Sequence, residues 1–474
     1  MRTRPPTTRP TPLASADWRA HPVRSERGLA SAWRRPVRAT AGRARHLGRI
    51  GVRRAIAVSA AGAVLVIGGP VPAAFADDGN WWFEKYSIPA AQASGITGAG
   101  VKVAVIDNGI NSDLAVFQGT HLDVHEPDVC GAPAASTEAT ASTVHGSDVT
   151  ALLIGNGTGP GSVRGIAPDV DLDFYSVGPA DSGCRKKIDG RDYTNLGLAI
   201  RQAVADGNRI ISISQGSVNQ YDGDVYSITQ ALARGVIIVA ANPNVAGRAS
   251  GDFPERANGV VSVNAFKQDG SLQTQDDGTE VAFDYTTVVA AGWSFSSQAA
   301  VTPTLSWGDN SVRLGGSSLA TPLVAGMVAL VAQKYPKATG NQLLQSLIRN
   351  TGTDDHELRR SSNGYGYGAA SATRMLRVDP TQYADENPLM DEPNHSGVPT
   401  EDDVAQEKAS LVGGGDAGSD SSHSAEPSKS GTLTPIGIGL VVVGVLGGLV
   451  LVAGVVVVIV VLSRRGSASG GGTR

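Results

Sequence analysis

The sequence predicts an α/β domain with a mainly parallel central sheet, and three observations carry that reading. Five β-branched runs, at 101–106, 172–177, 210–214, 236–241 and 260–265, are almost continuously apolar. Strands with that pattern fit a parallel sheet covered on both faces. Helical periods intervene or follow, at 193–205 (apolar at Leu196, Ile200, Ala203 and Val204), 319–334 and 340–349. Finally, the strands end on polar residues, Asp107 after the first and Ser214 at the third. In open α/β sheets the working site lies beyond the carboxyl ends of the strands, so both residues stand where chemistry is expected.

The chain is longer than this domain. It has 474 residues, whereas a single core rarely grows past about 250–300. With 41% hydrophobic and 18% charged residues it is not a wholly disordered chain. The net charge of −4 conceals a polarity: residues 1–54 hold 14 Arg against Asp17 and Glu26, while the remainder is strongly acidic. With the basic charge confined to a removable leader, a nucleic-acid partner is not expected.

That leader has the form of an export signal. Arg53 and Arg54 precede an apolar run of 13 residues, 55–67, too short to span a bilayer. Pro70 and Pro72 break the run, and Ala74-Phe75-Ala76 is an A-x-A cleavage site that starts the mature chain at Asp77. The arginine pair lacks the apolar residues expected after a twin-arginine signal, which favours ordinary secretion. At the other end, residues 436–462 are 27 residues without a charged or polar side chain, followed by Arg464 and Arg465. A helix of that length, about 40 Å, crosses a bilayer with tilt, and the basic flank keeps the C-terminus in the cytoplasm. Between them, 377–434 carries 12 acidic against three basic residues with Pro, Gly and Ser, a composition suited to a flexible spacer. The expected plan is therefore a leader and signal at 1–76, a folded domain with an N-terminal extension at 77–376, an acidic flexible stalk at 377–434, a transmembrane helix at 435–463 and a cytoplasmic tail at 464–474. The folded domain faces away from the cytoplasm.

Cys130 and Cys184 are the only cysteines, and both lie in the exported part. An even number in an oxidising compartment predicts a disulfide. Two cysteines cannot build a four-ligand zinc site, and His and Asp do not cluster at ligand spacing, so neither a catalytic metal nor a cofactor is expected.

Three segments carry chemistry. They are Ile106-Asp107-Asn108-Gly109, Val144-His145-Gly146-Ser147-Asp148-Val149, and Gly315-Gly316-Ser317-Ser318-Leu319-Ala320-Thr321-Pro322 at the head of a long helical run. A serine hydroxyl at neutral pH needs a base, an imidazole has the pKa for that work, and a buried carboxylate fixes the imidazole tautomer. A serine at a helix N-terminus also has backbone N–H groups nearby to favour developing negative charge. Each segment alone is weak: strand-terminal Asp residues often cap turns, and Gly-Ser-Ser is common in loops. The combination, in the order Asp, His, Ser, is specific. It excludes the α/β-hydrolases, whose G-x-S-x-G elbow is missing around Ser318 and whose triad runs in another order.

Over about residues 81–376 the chain resembles the subtilisin-like serine proteases, the subtilases, built around D-[ST]-G, H-G-T and G-T-S-M-A-x-P. Asp107, His145 and Ser318 occupy the matching positions. Gly165-Ile166-Ala167-Pro168, Gly259-Val260-Val261-Ser262-Val263 and Gly364-Tyr365-Gly366 resemble secondary motifs of the same family. The resemblance implies a subtilisin-like three-layer fold and an endopeptidase working through an acyl-enzyme on protein or peptide substrates. It implies an oxyanion donor in the segment Ala241-Asn242-Pro243-Asn244, with Asn244 favoured by ungapped counting and Asn242 the alternative. It also implies backbone pairing of substrate with Ser214-Gln215-Gly216, where Gln215 replaces the usual apolar residue. Asn108, Ser147, Ser317 and Leu319 depart from the commonest residues too, and none removes a reacting group. The whole-chain plan resembles the mycosins, membrane-anchored subtilases of type VII secretion, which implies machinery subunits as partners. The other reading left open is a weak or inactive subtilase serving as a docking component. Only about 24 residues separate Asp77 from the first strand, too few for a folded pro-domain, so Trp81-Trp82-Phe83 is expected to pack on the body.

Overall fold

The computed structural model describes the backbone of residues 21–22 and residues 79–413, apart from 179–182, 218, 247–252, 301–303, 309–312 and 393. The export signal around 55–76 and the span at 436–462 lie outside the described residues. Among those described, no helix is long and apolar enough to cross a membrane.

Seven parallel strands form the central sheet: β1 (Lys102–Asp107), β2 (Leu122–Val124), β3 (Asp171–Ser176), β4 (Ile210–Ile213), β5 (Ile237–Ala241), β6 (Val261–Phe266) and β7 (Val288–Ala291). Their order is β7-β6-β5-β4-β1-β3-β2. The five predicted strands are present to within a residue at each end. The short edge strand β2 and the small-residue strand β7 were not predicted. Alternation along β1 explains the continuous apolar pattern. Val103 and Val105 join the core that contains the long helix α6 (Ser317–Lys334) and α3 (Ala141–Ile154). Ala104 and Ile106 join the opposite core, with α4 (Asn195–Ala205) and α5 (Asp222–Ala233). The expected α/β class with a parallel sheet between two helical layers is what the chain forms.

The sheet order creates the crevice. From β1 the chain moves outward to β2 and β3. From β4, which pairs with β1 on the other side (Ile106 opposite Ile213), it moves the other way through β5, β6 and β7. Connections leaving in opposite directions open a gap at the carboxyl ends of β1 and β4, where Asp107 and Ser214 lie.

Two flanking features complete the body. Trp82 in α1 (Trp81–Lys85) is fully buried, Trp81 Nε1 donates to the Trp293 carbonyl at 2.9 Å, and the Tyr86 hydroxyl accepts from Ala291 N at 2.7 Å. A helix, α2 (Ile88–Ala93), follows. Cys130 and Cys184 are joined, with an S–S distance of 2.03 Å. Past α7 (Gly340–Arg349) and the short α8 (Ala372–Met375), the acidic segment expected to be a free stalk from 377 remains on the body as far as 413. Leu389 and Met390 are buried, Gly259 N donates to Leu389 O, Asn258 N donates to Val398 O, and α9 (Glu401–Gly413) packs on α5. Composition missed this because a few apolar anchors and backbone hydrogen bonds suffice to dock an otherwise polar segment.

Candidate active site

Each candidate side chain is placed by a local rule. Asp107 is the last residue of β1 and fully buried. Helix α3 begins with a capping box, Thr140 and Thr143 exchanging side-chain and backbone bonds. It carries His145 near its N-terminus and lies against the loop after β1. Gly146 makes that approach possible, because a Cβ there would collide with the carbonyl oxygen of Gly109. Ser147 fastens the contact: its hydroxyl donates to Thr143 O at 2.7 Å and accepts from Asn111 N at 3.0 Å.

These contacts set His145 Nδ1 3.0 Å from Asp107 Oδ1. A carboxylate only accepts, so Nδ1 carries the proton and Nε2 keeps its lone pair. The same Oδ1 accepts from Asn108 N at 2.7 Å and Gln215 Nε2 at 3.1 Å, whereas Oδ2 is buried without a hydrogen bond among the described residues. Burial by itself would lower the His145 pKa. The hydrogen-bonded charge of Asp107, with a contribution from Asp148 one turn along α3, outweighs burial and holds it above the ordinary histidine value.

Ser318 is the second residue of α6 and is buried. Pro322, four residues on, has no N–H to give to the Ser318 carbonyl. The hydroxyl of Ser214 takes that role, donating to Ser318 O at 2.7 Å. Ser214 therefore holds the serine-bearing turn, while its neighbour Gln215 reaches the Asp107–His145 pair. Two consecutive residues beyond β4 thus join the acid–imidazole half to the hydroxyl half. Gln215 is buried, and its amide turns inward to Asp107 and His145.

The two asparagines separate cleanly. Asn242 is fully buried; its side chain donates through Nδ2 to Thr286 Oγ1 at 2.9 Å, while its carbonyl accepts from the Ser317 hydroxyl at the head of α6. Asn244 Oδ1 accepts from Ser317 N at 2.9 Å and from Ser317 Oγ at 3.0 Å. With its oxygen held there, Asn244 Nδ2 lies beside Gly316, two residues before Ser318. Gly316 keeps this space open, since a Cβ there would lie 3.0 Å from Asn244 Nδ2.

Sequence reasoning missed Asp148. It is buried, accepting from Ser297 Oγ and Gln298 N, each at 2.7 Å. The signal was available: an acid three residues after the histidine, entering an apolar helix. Among the described residues, one cluster could hold a metal ion, Asp123, His125 and Asp173. Lys102 Nζ already lies 2.8 Å from Asp173 there.

Residues 98–368, more than half the chain, match the subtilase family, Peptidase_S8. The chain belongs to the subtilase family. Among relatives, subtilisin BL from Lederbergia lenta is 30% identical over 304 residues, covering 63% of this chain and 98% of that protein. Alkaline elastase YaB from Bacillus sp. (strain YaB) is 30% identical over 298 residues, covering 62% and 70%. Fervidolysin from Fervidobacterium pennivorans, a keratinolytic enzyme related to subtilisin, shares the fold at 20% identity with a TM-score of 0.50, over 64% of this chain and 47% of that one. MycP1 from Mycobacterium smegmatis is 21% identical with a TM-score of 0.49, over 67% and 88%. This subtilase is a serine endopeptidase, and the three candidate segments all fall inside the matched region.

Proposed function

We propose that the chain is a membrane-anchored, extracytoplasmic endopeptidase in which Asp107, His145 and Ser318 form the catalytic triad. The observation that carries this is the His145 Nδ1–Asp107 Oδ1 hydrogen bond at the sheet crevice, coupled to Ser318 through Ser214 and Gln215. His145 Nε2 takes the Ser318 proton as the hydroxyl oxygen attacks the scissile carbonyl carbon. Asp107 stabilises the imidazolium, Asn244 Nδ2 and the Ser318 N–H hold the oxyanion, and His145 returns the proton to the leaving amine. Water then attacks the acyl-enzyme by the same route and regenerates Ser318. The backbone of Ser214-Gln215-Gly216 pairs with the substrate as an added strand.

The anchoring rests on the apolar stretch 436–462 and its Arg464-Arg465 flank, and export on the 55–76 signal. Signal, subtilase domain, acidic linker, single span and basic tail together support a mycosin-like role beside type VII secretion subunits, with exported proteins as substrates. The test is covalent labelling. The full chain in detergent is treated with a fluorophosphonate probe and the adduct is mapped by mass spectrometry. An adduct at Ser318, abolished by His145→Ala, is expected. A folded, disulfide-bonded protein that takes no label would refute the catalytic assignment and favour a docking component.

A further inference from the structure

We propose that Asp148 is a positioning residue for His145, fastening the imidazole-bearing helix to the segment after the strand that pairs with the one leading into Ser318, and placing a second carboxyl one helical turn from the imidazole. The inference rests on the protease reading above and adds a residue to it.

The geometry is specific. Asp148 lies three residues after His145, which on an α-helix puts the two side chains on one face. Both carboxylate oxygens are committed, Oδ2 to the Ser297 hydroxyl and Oδ1 to the Gln298 amide. These partners follow the strand Trp293–Ser296, which pairs antiparallel with Arg313–Gly315. Gly316, Ser317 and Ser318 come next in the chain. Asp148 thus links the two halves of the site through that strand pair, as Ser214 and Gln215 link them from the sheet.

The electrostatics are reciprocal. Burial pushes the Asp148 carboxyl up to about 7, against the lowering effect of its two hydrogen-bond donors and of His145. Asp148 in turn raises His145. Among the described residues, the charged groups acting on His145 are Asp107 and Asp148, and the one acting on Asp148 is His145. Ser297 and Gln298 do not titrate. Each proton bound by one member of the pair weakens binding at the other, so the imidazole titrates over a broadened range.

The experiment compares wild type, Asp148→Asn and Ser297→Ala as full chains in detergent. Fluorophosphonate labelling rates are measured against pH, alongside NMR titration of the histidine ring nitrogens. Wild type is expected to show an acid limb broader than a single-proton curve. Asp148→Asn should give a one-proton curve with its midpoint lower by about one pH unit, the order set by a charge several ångström away in a partly shielded site. Ser297→Ala withdraws a donor from the carboxylate, favours its protonated form, and should move the midpoint the same way by less. It also keeps the test open if Asp148→Asn fails to fold. Labelling at Ser318 with an unmoved midpoint in the folded variants would overturn the proposal and leave the protease reading standing. Absence of labelling with the His145 ring titration still shifted would overturn the protease reading and leave the Asp148 coupling standing.

Discussion

The assignment of Asn244 over Asn242 predicts a separation of function from stability. Truncating Asn244 to Ala removes the side-chain donor to the oxyanion. In a preorganised site that loss is expected to lower kcat about 100- to 1,000-fold, or about 2.7–4 kcal/mol of transition-state stabilisation. KM should change little, because the bond strengthens only as charge develops on the oxygen. Asn244 also anchors Ser317 through its oxygen, so Ala alone leaves an ambiguity. Asn244→Asp resolves it: an Asp oxygen can still accept from Ser317, while the position of Nδ2 becomes an oxygen that repels the oxyanion. Both variants should lose turnover, and the Asp variant should keep the local anchor. Asn242→Ala instead strips the partner of Thr286 from a fully buried site. It should destabilise the fold by about 1–3 kcal/mol, with turnover at permissive temperature within a fewfold of wild type. The assays are hydrolysis of a fluorogenic casein and denaturant melts. If Asn242→Ala cost over 100-fold in kcat at unchanged stability while both Asn244 variants remained active, the assignment would be reversed.

Three further outcomes rest on particular contacts. Ser214→Ala leaves the Ser318 carbonyl without a donor, at a cost of about 1–3 kcal/mol, and Pro322→Ala in the same chain should restore most of it by supplying a helical N–H; a double mutant no more stable than Ser214→Ala would sink the argument. For pH dependence, the folded protein raises Asp148 from 3.8 to about 7, so between about pH 4 and 7 it holds a proton that the unfolded chain has released. Stability from this group therefore falls as pH rises through that window. His145, raised from 6.5, contributes stability that is lost as pH rises through its folded value, and thermal melts of Asp148→Asn between pH 4 and 8 should show a flatter decline than wild type. Replacing Cys130 and Cys184 by Ser opens a loop of sequence separation 54 and should cost up to about 4 kcal/mol on the loop-entropy account, read from denaturant midpoints, where unchanged values would contradict it.

The parts legible in the sequence are those governed by short-range rules. The five strands announced themselves because burial on both faces demands continuous apolar residues. α7 began as predicted because Thr339 caps it. The α6 boundary was less visible. The helix starts at Ser317, two residues before the predicted 319, because Asn244 supplies an acceptor for the Ser317 N–H from 73 residues away. The predicted helix from 193 begins at Asn195, because Tyr193 and Thr194 are taken by the hairpin strand Arg191–Thr194. β2 was hidden because a three-residue edge strand has no periodicity to detect. The candidate site followed the same division. Asp107, His145 and Ser318 were found from local motifs, whereas the inward turn of Gln215 and the clamp at Asp148 depend on segments far apart in the chain.

Those long-range contacts bear on why the motif departures cluster where they do. Ser147 keeps the hydroxyl that ties α3 to the loop after β1, and Ser317 keeps the one that positions Asn244. Both preserve geometry with a smaller residue. Gln215 does something different: its amide brings another N–H to Asp107 Oδ1, alongside His145. An added donor delocalises the carboxylate charge and weakens its hold on the imidazolium, whereas the Asp148 carboxylate adds negative charge from one turn along α3. The two residues thus push the His145 basicity in opposing directions. Removing either alone should move the acid limb of activity, Gln215→Leu upward and Asp148→Asn downward. The pair of substitutions should return it near its starting point while leaving Asp107, His145 and Ser318 untouched. A double variant displaced as far as Asp148→Asn alone would show that Gln215 packs the crevice without tuning it.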